Sequence, residues 1–354
     1  MHIKHSVKNV KYDEARKTFT VSVKNLVKSE EYSQEFDRVI VAAGHFSTPH
    51  VPTFNGIETF DGRVLHAHDF RNAREFTGKR CLVIGASCSA EDIGLQLFKF
   101  GAAQVTMSWR TKPMGFAWPD TVKEVPLLTK VNGKTCYFKN GHVEDFDAII
   151  LCTGYLHSFP FMAPEIRLEA TNILNLPNLY RNTQWYGTSP GTIDAGGRLF
   201  YLGMMDQYFS YTMFMMQALW AAHVIKGIHQ VPSREKCVGE ITKRLKENEF
   251  LTDCDKDIDN QAEYMDQLKE DTGHPVYLSE CADTFKEWEH NKHEDIMSYR
   301  DKTHKNLFTG IVSPVLTKPW VKLMDDSLET FLSMEYVEYT DDNNNRSHTN
   351  NHTN

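Results

Sequence analysis

The segment that most restricts this chain runs from Arg80 to Trp109. Arg80-Cys-Leu-Val-Ile-Gly85 is an apolar run closed by a glycine, Gln104-Val-Thr-Met-Ser-Trp109 is a second strand pattern, and a helix fits between them. Together they spell one βαβ unit with the spacing of a nucleotide-binding fold. At its turn stands Gly85-Ala-Ser87-Cys88-Ser89-Ala90, in the place of G-x-G-x-x-G/A. The glycine permits a tight turn, Ser87 is small enough for a pyrophosphate to approach, and Ala90 lets helix and sheet pack closely. Backbone N–H groups at the helix start then face the phosphates. Ser89 is the predicted N-cap, with Glu91 and Asp92 placing negative charge in the first turn. Taken alone, the segment also reads as a plain strand-to-helix turn. Arg110-Thr111-Lys112 adds context: it follows the second strand, 25 positions after Gly85, where an acid would take the ribose hydroxyl of NAD and a cation accommodates a 2′-phosphate. The pattern predicts NADP rather than NAD.

With 354 residues the chain has room for two ordinary domains. Thr18-Phe-Thr-Val-Ser-Val23 alternates with period two, while Arg38–Ala43 before Gly44 and Asp147–Cys152 before Thr153-Gly154 are short apolar strands. The most apolar window, 199–228, is interrupted by Asp206, Gln207, Gln217 and His223, so it reads as a buried strand, a turn and a core helix rather than a membrane span. Amphipathic helices are predicted near 233–250, 256–271, 283–302 and 320–334, and the polar end of the chain, 336–354, as disordered. A net charge of −8 argues against a nucleic-acid partner. Seven cysteines without a C-x-x-C pair indicate neither a disulfide scaffold nor a zinc ribbon, and a reducing compartment fits them. The first residues lack the apolar core of a secretory signal, so a cytoplasmic protein is expected.

Several side chains invite chemistry. His45, His66 and His68 suggest a metal, but no H-x-x-x-H or E-x-x-H spacing supplies a third ligand, and no metal is expected. No G-x-S-x-G elbow frames Ser87 or Ser89, so phosphate contact is the better use of both. Cys88 opens a helix without a resolving cysteine nearby, which favours a passive small residue. In Gly203-Met-Met-Asp206-Gln207 a carboxylate and an amide follow a buried strand, and Asp206 either caps the next helix or faces a site. Trp109, Trp118, Tyr208 and Tyr211 could wall in a cationic amine, although core packing is the commoner use of such rings.

Val41-Ala-Ala-Gly44-His45-Phe-Ser-Thr-Pro49-His-Val-Pro52, then Phe60-Asp-Gly62-Arg-Val-Leu-His66-Ala-His-Asp-Phe70, then the Gly85 turn, resembles the flavin-containing monooxygenases. Phe60, Gly62, His66 and Phe70 fill the spacing F-x-G-x-x-x-H-x-x-x-F/Y of that class and its Baeyer–Villiger relatives. Ser89-Ala-Glu-Asp-Ile-Gly94, Arg110-Thr-Lys-Pro-Met-Gly115, Leu151-Cys-Thr-Gly-Tyr155, Gly203-Met-Met-Asp-Gln207, Phe285-Lys-Glu-Trp288 and Ile296-Met-Ser-Tyr-Arg300 resemble the trimethylamine-oxidising branch more closely.

The resemblance implies an α/β protein with two nucleotide-binding, Rossmann-like domains and a C-terminal helical extension. It implies FAD and NADP(H) as cofactors, and a small tertiary amine and O₂ as substrates, with S-oxygenation a variant of the same chemistry on a C4a-hydroperoxyflavin. By motif, Gly85, Ser87, Cys88, Ser89, Ala90, Arg110, Thr111 and His66 would serve cofactor binding, with Arg300 reaching the nicotinamide side. Gln207 and Ser210 would touch the flavin, and Asp206 would be the active-site carboxylate. Residues 1–52 and 156–335 would belong to the FAD domain and its helices, with 53–155 as the NADP domain. Two departures stand out. Cys88 occupies a position where the bacterial amine enzymes would carry a tyrosine, and the family's opening G-x-G-x-x-G strand turn for FAD has no counterpart, so the FAD domain reads as incomplete at its N-terminus. The rival expectation is an NADP-binding fragment, catalytically silent or a partner of a full-length paralogue. A ketone oxygenase and a disulfide reductase fit less well, the latter for want of a cysteine pair. Neither a membrane nor a nucleic acid is expected as partner, and a homodimer would follow family habit.

Overall fold

The computed structural model describes residues 1–170, 176–205, 208–247, 253–275, 278–303, 305–307 and 309–312. The chain divides into two units, Met1–Arg300 and Asp301–Asn354. Of the second, the described part is a short turn in which Lys305 bridges Val312 and the Asn306 N–H donates to Ile311 O.

The first unit begins with an antiparallel meander, β1 (His5–Asp13), β2 (Thr18–Asn25) and β3 (Glu31–Phe36). Its period-two alternation turns Phe19 and Val21 of β2 inward beside Val10 of β1, onto the main core. After the short strand β4 (Val39–Val41) the chain turns at Gly44, with φ +73°, and runs through β5 (Thr48–Pro49).

Next come β6 (Arg63–His66), β7 (Arg80–Ile84), α1 (Cys88–Lys99), β8 (Gln104–Trp109) and β9 (Val122–Pro126). A second meander of β10 (Leu128–Asn132), β11 (Thr135–Phe138) and β12 (Val143–Asp145) precedes β13 (Ala148–Leu151). The sheet order is β6-β13-β7-β8-β9, every pairing parallel. Both faces of such a sheet are covered, which is why β7 and β13 are apolar at nearly every position. Cys81, Val83 and Ile150 pack with Ile93 and Leu97 of α1. Leu82, Ile84, Ile149 and Leu151 pack instead on Val131 and Phe138 of the second meander. Each fully buried aliphatic side chain contributes about 1.5–3 kcal/mol. Helix α1 is capped two residues earlier than predicted: Ser87, extended at φ −135°, is the N-cap, and Ser89 lies inside the first turn. Both serines suit a helix start, and the tight turn at Gly85 decides between them by bringing the chain into helix sooner.

β14 (Tyr155–Leu156) returns antiparallel to β5, so the two connections of the five-stranded region run side by side. They are tied by His50 N–H donating to Gly154 O at 2.9 Å and by Thr153 Oγ1 donating to His50 O. The chain then completes a four-stranded sheet, β15 (Leu179–Tyr180), β16 (Gln184–Trp185) and β17 (Leu199–Tyr201), with β17 parallel to β4. Helix α2 (Ser210–Lys226) is stopped by Gly227 in the left-handed region at φ 71°. Helices α3 (Arg234–Glu247), α4 (Cys254–Thr272) and α5 (Leu278–Glu294) follow, near the segments the amphipathic pattern picked out. The helix expected near 320–334 and the tail 336–354 lie outside the described residues. Among the described residues no helix is long and apolar enough to cross a membrane.

Candidate nucleotide and oxygenation site

Strand register gathers the first group of candidates. His66 lies level with Leu151, Leu151 with Ile84, and Ile84 with Ser108, all at the carboxyl edge of the parallel sheet. From β7 the chain moves one way to β8 and β9, then returns to β13 on the other side, so the crevice between β7 and β13 is the topological switch point where such sheets bind ligands. Gly85 sits in that crevice with φ +137°, and a Cβ there would lie 2.2 Å from the carbonyl oxygen of Cys152. No other residue fits this position without moving β13.

The Ser87 side chain makes no capping bond, and residues 86–89, Cys88 among them, are exposed at the positive end of α1. Ala90 is fully buried against the sheet, and a Cβ on Gly94 would meet Met107 Cε at 2.9 Å, so α1 lies close upon β8. Arg110 and Thr111 emerge exposed from the end of β8, one strand away. An open helix start, a cradle that a Cβ would fill and a nearby cation fit a phosphorylated dinucleotide.

His66 closes the same edge. It is 5% exposed; its Nδ1 accepts the His68 N–H at 3.0 Å, which leaves the proton on Nε2, and that buried atom makes no hydrogen bond. Burial pushes its pKa below the usual imidazole value, against a lesser pull from the Gly154 backbone, so the ring is neutral. A buried donor left unmade costs about 1–3 kcal/mol, which a bound acceptor would recover. The ring stands edge-on to Tyr155 at 5.3 Å, and Tyr155 contacts Phe46 at 5.3 Å. Phe46 lies against His45, which stacks on His157 with centroids 5.0 Å apart. An aromatic and imidazole row thus leads from the Gly85 edge to the ends of β4 and β17.

At those ends a cavity of about 230 Å³ is lined by Ala43, Gly44, His45, Phe46, Gly203 and Phe214. Gly203 has φ +73°, and a Cβ on it would touch the Phe214 ring at 2.7 Å. Its N–H donates to Gln217 Oε1 at 2.8 Å. Ser210 opens α2 just beyond. Asp206 and Gln207 lie outside the described residues, between Met205 and Tyr208. The cavity is lined mainly by apolar atoms. Among the described residues the strand–glycine–helix cradle for a pyrophosphate occurs once, at Gly85. Also among them, no group of three or more His, Cys, Asp or Glu is placed to hold a metal. The aromatic candidates are not gathered into a cage: Trp118 packs on Phe116, Tyr208 on Phe285 and Tyr211 on Phe214.

Arg300, in the short turn after α5, reaches α1 with its side chain, its guanidinium 2.5 Å from Asp92. Beside it lies a cluster that sequence reasoning missed. Glu91, read as a helix-end charge, is buried and bound to Lys292 of α5 at 3.1 Å. Lys292 also holds Glu289 at 2.8 Å and lies 4.7 Å over the Trp288 ring, and the Tyr299 hydroxyl donates to Glu91. Burial raises the Glu91 pKa, and Lys292 opposes the rise. Only the Glu289–Lys292 spacing on one helix hinted at this, since its partner lies some 200 positions away.

The family model for flavin-binding monooxygenase-like proteins matches residues 2–117 and 120–277. A trimethylamine monooxygenase of Methylocella silvestris is 46% identical over 326 residues, covering 92% of this chain and 70% of that protein. One from Roseovarius nubinhibens is 43% identical over 328 residues, covering 92% of this chain and 72% of its own length. The crystal structure of Tmm from Pelagibacter sp. strain HTCC7211 superposes with a TM-score of 0.83 at 41% identity, over 92% of this chain and 72% of that one.

Proposed function

The chain belongs to the flavin-binding monooxygenase-like family and is of the type represented by the bacterial trimethylamine monooxygenases, and on that ground we propose that it N-oxygenates small tertiary amines such as trimethylamine with FAD, NADPH and O₂. One observation carries the NADPH part: the Gly85 cradle lies beside the exposed start of α1, with Arg110 one strand away. When bound, reduced FAD supplies the activation of O₂, one oxygen atom passing to the amine nitrogen and the other to water, at the expense of one NADPH and one proton.

The chain's own part is to bind, orient and keep water out. Backbone N–H groups at the start of α1, with Ser87 and Ser89, would hold the pyrophosphate of NADP, and Arg110 with Thr111 the 2′-phosphate. The His66 Nε2–H would donate to the cofactor side of the crevice, and Arg300, tied to Asp92, would steady the helix that carries the phosphate seat. Ser210 and Gln207 would touch the flavin, and Phe46 and Phe214, which line the Gly44–Gly203 cavity and are exposed in this structure, would pack on a ring bound there and shield it from water. The amine must arrive as its free base to act as a nucleophile, and the Asp206 carboxylate gives the ammonium proton a place to go. In this reading residues 53–155 would be the NADP domain, with 1–52 and 156–335 assigned to the FAD domain and its helices.

A second reading rests on the same Gly85 cradle: a chain that binds NADP there and is silent alone or acts with a full-length paralogue. Purified chain mixed with FAD and then NADPH under air decides between them. Flavin absorbance that stays with the protein and bleaches on NADPH addition supports the monooxygenase. Nucleotide binding by a chain that retains no flavin overturns it for this chain alone.

A further inference from the structure

The two connections between the five-stranded region and the rest of the chain each end in a histidine that grips the same short segment. His45 precedes β5, on the way out, and its Nδ1–H donates to Gly203 O at 3.0 Å. His157 follows β14, on the way back, and its Nε2–H donates to Met204 O at 2.7 Å. The rings stack with centroids 5.0 Å apart and planes inclined by 22°, so neither can shift without the other. The Gly203 N–H is held from a third side by Gln217 of α2, whose Nε2–H in turn donates to the Tyr264 hydroxyl. Gly203 itself sits in the left-handed region at φ +73°, and a Cβ there would meet the Phe214 ring at 2.7 Å. The backbone carbonyls of Gly203 and Met204 are therefore held from the two connections that lead to and from the sheet with the nucleotide cradle.

We infer that His45 and His157 are positioning residues, which register the Gly203–Met204 segment to the β5–β14 crossing and so convey the seating of NADP to the chain just after β17. Each holds a carbonyl oxygen and acts through the segment it grips; His45 also lines the Gly44–Gly203 cavity, whereas His157 does not, which makes His157 the cleaner position to vary. The crossing is stiff enough for this role, because His50 and Thr153 bond it a second time. The coupling rests on the NADP reading above, whereas the grip itself does not.

Amide hydrogen exchange on the full chain tests both, in wild type, His157→Leu and His157→Gln. The leucine removes the donor; the glutamine keeps an N–H of similar reach. Without nucleotide, the leucine variant should exchange roughly tenfold faster across 203–209 than wild type, about the worth of one hydrogen bond, and the glutamine variant should recover most of the protection. A melting temperature within a few degrees of wild type shows that the fold is kept. Adding NADP should slow exchange across 203–209 in wild type and do so far less in His157→Leu. Equal exchange in all three proteins, or a glutamine variant as fast as leucine, overturns the grip. An NADP effect confined to the Gly85 edge in wild type overturns the coupling. No NADP effect anywhere in wild type overturns the nucleotide reading, and the comparison without nucleotide still decides the grip.

Discussion

Replacing Lys292 by methionine isolates the electrostatics of the buried cluster, because methionine keeps the apolar stem against Trp288 and Phe116 and removes only the charge. Lys292 is 4% exposed, with Glu91 at 3.1 Å and Glu289 at 2.8 Å from its Nζ. Removing one partner of a buried ion pair costs about 3–5 kcal/mol, since the charge left behind is uncompensated. Protonation offers an escape with a calculable ceiling. Taking up a proton at pH 7 on a carboxyl whose ordinary value is 4.5 costs about 3.4 kcal/mol, and less once burial has raised that value. The expected loss is therefore about 3 kcal/mol at pH 7. Its pH dependence has a fixed sign: the folded variant binds a proton that the unfolded chain has released, so its stability falls as pH rises above about 4.5, by up to about 1.4 kcal/mol per unit. Urea unfolding of both proteins between pH 5 and 8 reads this directly. A gap near 1 kcal/mol at pH 5 that widens to 3 or more by pH 7 agrees with the geometry, and Glu91→Gln combined with Lys292→Met should recover part of it. A gap below 1 kcal/mol at pH 7, or one independent of pH, refutes the reasoning.

Gly85→Ala should abolish NADP binding, measured by fluorescence titration, and lower the melting temperature, because its Cβ would stand 2.2 Å from Cys152 O at a φ of +137°. Arg110→Ser should raise the KM for NADPH by roughly ten- to a hundredfold, the worth of a charged hydrogen bond of about 1.5–3 kcal/mol, and leave that for NADH nearly unchanged in steady-state assays. Asp147 is held down to about 2, first by the Arg80 backbone N–H and then by the Arg80 and Lys134 side chains. Its contribution is complete above about pH 4 and lost as pH falls to 2, so Asp147→Asn should cost about 1–2 kcal/mol at pH 7 and almost nothing at pH 2 in denaturant unfolding.

What the sequence made legible was local. The β7–α1–β8 unit could be read because an apolar run, a glycine turn and a second run lie within thirty residues, each obeying a rule of backbone geometry. The cap was displaced by two positions because Ser87 and Ser89 are chemically alike and the choice belongs to the turn. The two-residue strands β15 and β16 were not foreseen, being too short to show a period and held by their neighbours in the sheet. Glu91 with Lys292, and His45 with His157, join positions far apart in the chain, and no spacing rule reaches that distance. His66 was legible as a motif residue, but its buried, unmet Nε2 required the register of β6 on β13.

The most direct test of the monooxygenase assignment is turnover under ¹⁸O₂. The purified chain, supplied with FAD, NADPH and trimethylamine, is expected to form trimethylamine N-oxide carrying one ¹⁸O atom, in step with NADPH consumed. NADPH oxidised without N-oxide, or N-oxide whose oxygen comes from water, would contradict it.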